Sequence, residues 1–462
     1  MRAGAAAWAE AIETLRLRFG ERISTTEAIR QAHGRGEGVI KTFAPSAVAW
    51  PESTDEVAAM VSICAAHDTP VIAFGAGTSL EGQVQAVNGG VCIDLTRMRR
   101  LLEVSAADLD CRVEAGLDRE GLNALLKGDG LFFPLDPGAN ATLGGMAATR
   151  ASGTNAVRYG TMREATLGLT VVTAAGQVMR LGGRARKSAA GYDLVRLFVG
   201  SEGTLGVITE LQLRLFGIPE VIAAAVCQFE TLRGAVEAVC AISQAGVPIA
   251  RIELLDQLQM RACITYSKLK EMAAKPTLFM EFHGSSCSVT DQIAQVETTV
   301  AEFGGTPLRH ARTPEQRSAL WRARHNAYHA GRSLRPGSES IATDACVPIS
   351  ALPDCLLAAE AMASEAGLIC PIVGHVGDGN FHLLVLFDPA SRAEQAKAEA
   401  LALGVARLAL AFGGTISGEH GVGVHKRGLM REEHGAAVDL MRAIKHAFDP
   451  SGIMNPGKML PE

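Results

Sequence analysis

Val71-Ile72-Ala73-Phe74-Gly75-Ala76-Gly77-Thr78-Ser79-Leu80-Glu81-Gly82 is a short apolar strand that runs into a glycine loop, and Val91-Cys92-Ile93-Asp94-Leu95 is a second strand soon after it. The loop differs from a Rossmann fingerprint, because Leu80 stands where the third glycine belongs and no long amphipathic helix follows. It also lacks the Lys-Ser/Thr ending of a P-loop. Its consecutive backbone N–H groups can nevertheless bind a pyrophosphate, since such nests bind anions in many folds. Taken alone, the loop is better explained as an ordinary glycine turn.

Further glycine-rich segments in the same half of the chain favour a ligand-binding site over an ordinary glycine turn. They lie at 137–138, 142–146, 152–155 and 201–206, and strand candidates at 168–173 and 206–211 separate them. Glycine lets the backbone approach a ligand closely, so several such loops suggest a long, polar ligand that lies between the strands. A dinucleotide fits that description. The glycine loops stop near 217–219, where we place the first domain boundary.

Helix and strand patterns alternate along the rest of the chain. An amphipathic helix is expected over 1–20. A second helix is expected within 51–67, because Ser53 can cap it and apolar residues recur from Val57 at helical spacing. Beyond the first boundary, helix candidates and strands form an α+β pattern. The helices are expected at 231–246, 288–304, 392–412 and 430–448, with a strand at 277–282.

Two histidines lie about a turn in Gly374-His375-Val376-Gly377-Asp378-Gly379-Asn380-Phe381-His382. If Asp378-Gly379 forms a two-residue hairpin turn, His382 lies directly opposite His375, and their imidazoles can converge on one metal ion. Further along, Ser417-Gly418-Glu419-His420-Gly421-Val422-Gly423 offers an adjacent carboxylate and imidazole in a glycine-rich stretch. The alternative is a polar turn and an ordinary loop.

Length, charge and cysteine content narrow the class of protein. A chain of 462 residues is expected to form two or three domains, and a net charge of -5 gives no reason to expect nucleic acid. The ten cysteines form no C-x-x-C pair, so we expect reduced thiols. No apolar run is long enough for a transmembrane helix, and Glu10 and Glu13 argue against a transit peptide. These features favour the bacterial cytoplasm, with attachment to the inner membrane left open, although a trimmed mitochondrial enzyme would look the same.

Taken together, these motifs resemble the D-lactate dehydrogenases of the vanillyl-alcohol oxidase type flavoprotein superfamily, over nearly the whole chain. The glycolate oxidase flavin subunit and the D-2-hydroxyglutarate dehydrogenases are close relatives within it. The resemblance implies an α+β fold with a PCMH-type FAD-binding domain, a sheet-and-helix (ferredoxin-like) cap domain and a C-terminal helical segment that returns to the FAD domain. On this chain the divisions are expected at 1–42 (N-terminal helical segment), 43–219 (FAD domain), 220–411 (cap) and 412–462 (C-terminal segment).

The resemblance also implies a cofactor site. The glycine loop would wrap the FAD pyrophosphate, and the loops at 134–138 and 142–145 would line the isoalloxazine and ribityl groups. Because the pyrophosphate loop has no histidine, we expect noncovalent FAD. The implied cofactor-binding residues are Phe74, Gly75, Ala76, Gly77, Thr78, Ser79, Leu80, Pro134, Asp136, Gly138, Thr142, Gly144, Gly145, Ser152, Gly153, Asn155, Gly160, Glu202, Gly206, Ile208 and Asn455.

The family gives the histidines a role in catalysis. By resemblance His375, His382 and Glu419 would bind a divalent metal, Zn or Mn, and His420 beside them would be the catalytic base. Arg324 would anchor the substrate carboxylate, although an arginine on a helix surface has the ordinary alternative of a solvated side chain, as Arg322 does. Alone, His420 could equally be a hydrogen-bonded loop histidine.

Two departures from the D-2-hydroxyglutarate dehydrogenases bear on the substrate. Leu384 stands where those enzymes tend to have an asparagine, and Ala342, two residues before Asp344, stands where they have a lysine. Without groups for a second carboxylate, a D-2-hydroxy monocarboxylic acid such as D-lactate is favoured.

The expected protein is an FAD- and metal-dependent dehydrogenase that passes electrons to cytochrome c, a quinone or an electron-transfer flavoprotein. Peripheral membrane association and a homodimer are both compatible with the sequence. The alternatives are the flavin subunit of glycolate oxidase, a D-2-hydroxyglutarate dehydrogenase, a noncatalytic subunit that kept the flavin fold, and a metal hydrolase.

Overall fold

The computed structural model describes residues 8–37, 41–269 and 272–461. The chain divides into two compact units, which we call unit 1 (residues 1–152, 160–218 and 419–462) and unit 2 (153–159 and 219–418). Residues 153–159 belong to unit 2 although the segments on both sides of them belong to unit 1. The finer division expected from the sequence, with separate segments at 1–42 and 412–462, stays a prediction.

Predicted helices are present at 9–19, 54–66, 232–244, 286–302 and 392–411, and most of the other helices in the described residues were not predicted from the sequence. The helices are α1 Ala9–Phe19, α2 Glu27–His33, α3 Thr54–Ala66, α4 Arg119–Leu126, α5 Leu143–Thr149, α6 Ala156–Tyr159, α7 Met162–Ala165, α8 Leu194–Phe198, α9 Leu232–Gln244, α10 Gln257–Ser267, α11 Ser286–Glu302, α12 Pro314–His325, α13 Ala327–Arg332, α14 Leu352–Ala366, α15 Arg392–Ala411, α16 Met430–His434 and α17 Ala437–Phe448. The first seven residues of the helix expected over 1–20 lie outside the described residues.

Unit 1 contains two main sheets. Its strands are β1 Ile23–Ser24, β2 Ala47–Ala49, β3 Val71–Phe74, β4 Val91–Asp94, β5 Leu101–Ser105, β6 Asp110–Glu114, β7 Leu131–Phe132, β8 Thr166–Val172, β9 Val178–Gly182, β10 Val207–Arg214 and β11 Phe216–Gly217. The first sheet has the order β1-β2-β4-β3, in which β4 is parallel to both of its neighbours. The second has the order β5-β6-β10-β8-β9 and is antiparallel. β7 and β11 form a separate antiparallel pair.

Helix α3 shows how the sequence builds the core of unit 1. The Ser53 hydroxyl accepts a hydrogen bond from the Glu56 N–H and so caps the helix, as predicted. Val57, Met60 and Val61 are fully buried in the same apolar cluster as residues of β8 and β10. The C-terminal segment joins the first sheet, since Asn455 N–H donates to the Val71 carbonyl (2.8 Å). The glycine loop after β3 therefore lies at the edge of a well-packed sheet.

Unit 2 is built on one sheet whose neighbouring strands pair antiparallel. Its strands are β12 Val221–Gln228, β13 Arg251–Leu255, β14 Thr277–Gly284, β15 Arg309–His310, β16 Glu339–Ala342, β17 Ala345–Cys346, β18 Ile372–His375 and β19 Asn380–Phe387. The order is β15-β12-β14-β13-β18-β19-β16, with β17 also on β19. Alternation along β13 and β14 separates two faces: Ile252 pairs with Met280 on an apolar face, and Arg251 pairs with Glu281 on the other. The apolar face belongs to the same buried cluster as residues of α9, α11, α14 and α15.

Three other expectations can be compared with the structure. The single terminal helix expected over 430–448 is wrong, because Gly435 takes a left-handed φ of +53° and separates α16 from α17. All ten cysteines are free in the described residues, and the reduced state of their thiols stays a prediction. Across 8–37, 41–269 and 272–461, none of the helices combines the length and apolar character needed to cross a bilayer.

Candidate active site

The histidine hairpin has a different register from the one predicted. His375 pairs with Asn380, and Val373 pairs with His382, so the two histidines are diagonal neighbours rather than directly opposed. The reason is the connection, which is a 3₁₀ turn over Val376–Asp378 closed by Gly379 in the left-handed conformation (φ +76°), not a two-residue turn. Because the offset is two residues, both side chains still lie on one face of the sheet. Their ring centroids are 5.5 Å apart.

Hydrogen bonds fix the tautomers of both histidines. His382 Nδ1 lies 2.8 Å from the Thr343 carbonyl oxygen, which can only accept, so Nδ1 carries the proton. His375 Nδ1 lies 2.8 Å from a carboxylate oxygen of Glu253 and donates in the same way. In the neutral ring the lone pair is then on Nε2 of each histidine. Metal-binding histidines usually show this pattern, with the other ring nitrogen donating to a carboxylate or carbonyl.

Glu253 joins one histidine to the predicted substrate arginine. Its second oxygen accepts a hydrogen bond from Arg324 at 2.5 Å, and its side chain is almost completely buried. Burial alone raises the pKa of Glu253, but the charges and hydrogen bonds of His375 and Arg324 outweigh it and hold the pKa below its usual value. Glu253 was not predicted from the sequence.

The position of Arg324 on helix α12 distinguishes it from Arg322. Arg324 is buried and faces the sheet, whereas Arg322 is exposed. Among the described residues, Arg324 Nε is buried and has no hydrogen-bond partner. A guanidinium held on one side by Glu253 can therefore still donate to an anionic ligand.

A second polar chain lies on the same face of the sheet. Glu281 accepts a hydrogen bond from His283 Nε2 (2.8 Å), and the Tyr159 hydroxyl is hydrogen-bonded to His283 Nδ1 (2.8 Å). Arg251 is 3.5 Å from Glu281 and donates to Asn155, which the sequence assigned to the cofactor site. This chain was not predicted from the sequence. Its signal was present in Glu281-Phe282-His283, where two polar residues alternate within an otherwise apolar strand.

Unit 2 also orders the chain just before Glu419. Asp344 accepts hydrogen bonds from Asn380 (2.9 Å) and from the Ser417 hydroxyl (2.7 Å). A Cβ on Gly418 would lie 2.3 Å from Asn380 Nδ2, so this position requires glycine. Glu419 and His420, the predicted metal ligand and base, follow directly in the chain and belong to unit 1.

In unit 1 the structure brings several predicted cofactor residues together. Gly77 in the glycine loop has φ +71°, and a Cβ on Gly75 would lie 2.1 Å from the Thr142 hydroxyl oxygen. Ser79 Oγ is buried without a hydrogen-bond partner in the part of the chain that the structure describes. Such a group fits a phosphate oxygen.

Other predicted cofactor residues have structural contacts of their own. Asn455 donates to the Glu202 carbonyl (2.7 Å). A Cβ on Gly206 would lie 2.6 Å from the Val172 carbonyl oxygen, and Ile208 pairs with Val171. Gly153 and Asn155 belong to unit 2, whereas the remaining predicted cofactor residues belong to unit 1.

Two family models match the chain. The model described as the FAD binding domain matches residues 45–182. The model described as FAD linked oxidases, C-terminal domain, matches residues 218–459. Among solved structures, p-cresol methylhydroxylase has a TM-score of 0.78 at 16% identity, with 98% of this chain and 96% of that chain covered. The expected PCMH-type FAD-binding fold is thereby confirmed.

Curated relatives align over almost the whole chain. A probable mitochondrial D-lactate dehydrogenase of Danio rerio is 47% identical, covering 95% of this chain and 89% of the relative. The mitochondrial D-lactate dehydrogenase [cytochrome] of Arabidopsis thaliana is 40% identical, with coverages of 98% and 80%. Glycolate oxidase subunit GlcD of Bacillus subtilis is 34% identical, with coverages of 90% and 89%.

These relatives correct one expectation. The sequence favoured the bacterial cytoplasm, with the inner membrane left open, but the Danio rerio and Arabidopsis thaliana relatives are both named as mitochondrial proteins. The cytoplasmic assignment is therefore wrong. It rested on acidic residues near the start of the chain and on reduced thiols, which a mitochondrial enzyme shares.

Proposed function

Because the chain belongs to the FAD-linked D-lactate dehydrogenase family, we propose that it oxidises a D-2-hydroxy monocarboxylic acid, with D-lactate converted to pyruvate. The observation that carries the proposal is the polar face of the unit 2 sheet, where Arg324 and His375 share the buried Glu253. Burying so many ionisable groups is costly unless they are paired or bind a ligand. Such clusters are therefore found preferentially at functional sites.

The glycine loop of unit 1 fits a noncovalent FAD. Gly77 gives the backbone a conformation that other residues rarely adopt, and the buried Ser79 hydroxyl is available to a phosphate oxygen. When bound, FAD supplies the acceptor for the two electrons and the hydrogen that leave the substrate Cα. The loop contains no histidine that could form a covalent link.

His375, His382 and Glu419 are the proposed ligands of a divalent metal ion, Zn or Mn. The support lies in the two Nδ1 hydrogen bonds, which leave an Nε2 lone pair on each ring for coordination. Imidazole and carboxylate ligands suit both metals. An ion held there would lower the pKa of a 2-hydroxyl group, which is the chemistry that metal ions contribute to hydroxy acid oxidation.

Arg324 and His420 have separate roles in this proposal. Arg324 binds the substrate carboxylate through its Nε side, since Glu253 already occupies the other side of the guanidinium. His420 takes the proton of the substrate hydroxyl as a neutral imidazole. The substrate Cα hydrogen leaves as a hydride, so the products are a 2-oxo acid and a reduced acceptor.

The preference for a monocarboxylate is supported by one pair of residues. Ala342 and Leu384, the two positions that depart from the D-2-hydroxyglutarate dehydrogenases, are cross-strand partners of β16 and β19. Two apolar side chains at this point offer nothing to a second carboxylate, which would lose its hydration without gaining a partner.

Electrons then pass to cytochrome c, a quinone or an electron-transfer flavoprotein, and a cytochrome is favoured because the Arabidopsis thaliana relative is named D-lactate dehydrogenase [cytochrome]. The flavin subunit of a glycolate oxidase is a second candidate, because the Bacillus subtilis relative with that name aligns over 90% of the chain. A glycolate oxidase subunit would reduce its flavin with glycolate in preference to D-lactate.

The visible spectrum of the anaerobic holoenzyme tests the proposal. With Zn or Mn present, D-lactate should bleach the flavin band, whereas D-2-hydroxyglutarate should do so much more slowly. His420→Ala should retain FAD and lose flavin reduction by about 100-fold or more. A flavin band that only glycolate bleaches would replace the proposed substrate, and near wild-type reduction in H420A would show that His420 is not the base.

A further inference from the structure

The segment that follows His420 is held by a buried carboxylate. Glu202 accepts hydrogen bonds from the N–H groups of Val422 (2.7 Å) and Gly423 (2.8 Å), one on each carboxylate oxygen. Its side chain is buried, and its backbone has a left-handed φ of +53°. That conformation is uncommon for a residue other than glycine, asparagine or aspartate, so the surrounding structure must enforce it.

Two glycines allow the segment to pack closely against Glu202 and Glu81. A Cβ on Gly421 would lie 2.4 Å from a carboxylate oxygen of Glu202, and a Cβ on Gly423 would lie 2.0 Å from the Glu81 carbonyl oxygen. Both glycines have positive φ, at +80° and +51°. A side chain at 421 would push the segment away from the Glu202 carboxylate, and one at 423 would collide with the Glu81 backbone, so the two glycines permit the close packing of the segment.

Two amide side chains complete the cradle. Gln83 donates a hydrogen bond to the carbonyl oxygen of His420 (2.8 Å). Asn455 donates to the carbonyl oxygens of both Gln83 (3.1 Å) and Glu202 (2.7 Å). The backbone of residues 420–423 is thus fixed on both sides by groups that are themselves tied to one another.

We propose that Glu202, supported by Gln83, is a positioning residue that sets the place of His420, rather than only a contact of the cofactor. The inference rests on the proposed function, in which His420 takes the substrate proton. Hydrogen bonds to two consecutive N–H groups fix the direction of the chain just after His420, and Gln83 fixes its carbonyl. Because a displacement of about 1 Å can cost roughly 100-fold in rate, a cradle of this kind matters to a base that must meet a hydroxyl proton.

Glu202→Gln is the first variant to test, because it keeps the size of the side chain but points an amide NH₂ at one of the two N–H groups. In the holoenzyme we expect FAD content to stay near wild type and kcat with D-lactate to fall about 10- to 100-fold, with a smaller change in KM. Hydrogen exchange at Val422 and Gly423 should become faster. Glu114→Gln is the matched control, since Glu114 is also a buried carboxylate of unit 1 that accepts a backbone N–H, from Arg100.

The outcomes separate this inference from the proposed function. If E202Q loses FAD, or if its kcat stays at the wild-type value while the two amides exchange faster, Glu202 does not position His420. If E114Q loses as much kcat as E202Q, the effect is general destabilisation and the inference also fails. H420A separates the failure of the proposed function from the failure of this inference. Wild-type activity in H420A would show that His420 is not the base. An inactive H420A together with a fully active E202Q would overturn only the positioning role of Glu202.

Gln83→Met provides a second test should E202Q fail to fold. Methionine keeps the length of the side chain but cannot donate to the His420 carbonyl. We expect kcat to fall by about 10-fold with FAD retained. An unchanged kcat in Q83M would overturn the inference.

Discussion

Buried carboxylates in the two units are satisfied in different ways. On the polar sheet face of unit 2, Glu253 lies between Arg324 and His375, and Glu281 lies between Arg251 and His283. In unit 1, Glu202 accepts two backbone N–H groups. The pKa values move in opposite directions. Burial raises all three, but basic partners reverse the shift for Glu253 and Glu281, whereas the pKa of Glu202 stays raised.

The difference shows what each carboxylate holds in place. Strands are rigid, so a glutamate on a strand can align other side chains, and a charged partner keeps it ionised without bending the backbone. A loop has to be held by its backbone, and N–H groups are the donors that a backbone offers. The sheet face therefore orients the proposed ligand-binding side chains, and the N–H cradle orients the segment that carries His420.

The largest effect is expected from Glu253→Gln, which removes the carboxylate that is paired with Arg324 and His375 in unit 2. A glutamine NH₂ directed at His375 would donate to Nδ1 and force the ring proton onto Nε2, the proposed metal-binding atom. Losing such an outer partner typically costs 10- to 100-fold in metal affinity, so titration of the metal-free holoenzyme with Zn or Mn should show that loss. Arg324 would also be left as a poorly compensated buried charge, which costs about 3–5 kcal/mol of unfolding free energy.

Glu281→Gln is the matched control for that variant. Glu281 is also a buried acid between an arginine and a histidine, but it touches neither of the proposed metal-binding histidines. Its loss should weaken folding by about 1–3 kcal/mol, with metal affinity unchanged. Equal metal affinities for E253Q and wild type would contradict the proposed link between Glu253 and the metal site.

Arg324→Lys tests the substrate side of the same face and should have a smaller effect. Lysine keeps the positive charge beside Glu253 but cannot offer a planar pair of donors to Glu253 and a carboxylate together. We expect KM for D-lactate to rise about 10- to 100-fold, with a smaller loss in kcat. Arg322→Lys is the control, because Arg322 is exposed on the same helix. Equal KM values for R324K and R322K would remove Arg324 from the substrate site.

Short-range sequence patterns predict several elements of the fold correctly. Helix α3 with its Ser53 cap and strands β3 and β4 follow from short-range patterns. The choice of Arg324 over Arg322 came from the family resemblance, since both lie on the same helix. The histidine register was wrong because a 3₁₀ turn before Gly379 cannot be told from a two-residue turn by composition. The contacts of Glu253 and Glu202 join residues 71 to 221 positions apart, and such contacts leave no mark on local periodicity.

The smallest effect on activity is expected from Asp256→Asn. This variant tests whether a buried carboxylate of unit 2 that accepts only N–H groups has a raised pKa, as Glu202 has in unit 1. Asp256 accepts from the N–H groups of Gln259 (2.7 Å) and Ile372 (3.1 Å), and burial raises its pKa to about 7. Because the folded-state pKa lies above the unfolded value of about 3.9, the carboxyl contributes stability that is fully present below pH 4 and is lost as the pH rises through 7.

Asparagine keeps the accepting oxygen and cannot ionise. The unfolding free energy of D256N minus that of wild type should therefore rise between pH 4 and pH 7. The expected rise is about 1.4 kcal/mol for each pH unit between the unfolded and folded pKa values. A constant difference across that range, measured by urea unfolding, would mean that N–H groups hold this carboxylate ionised as well as cations hold Glu253.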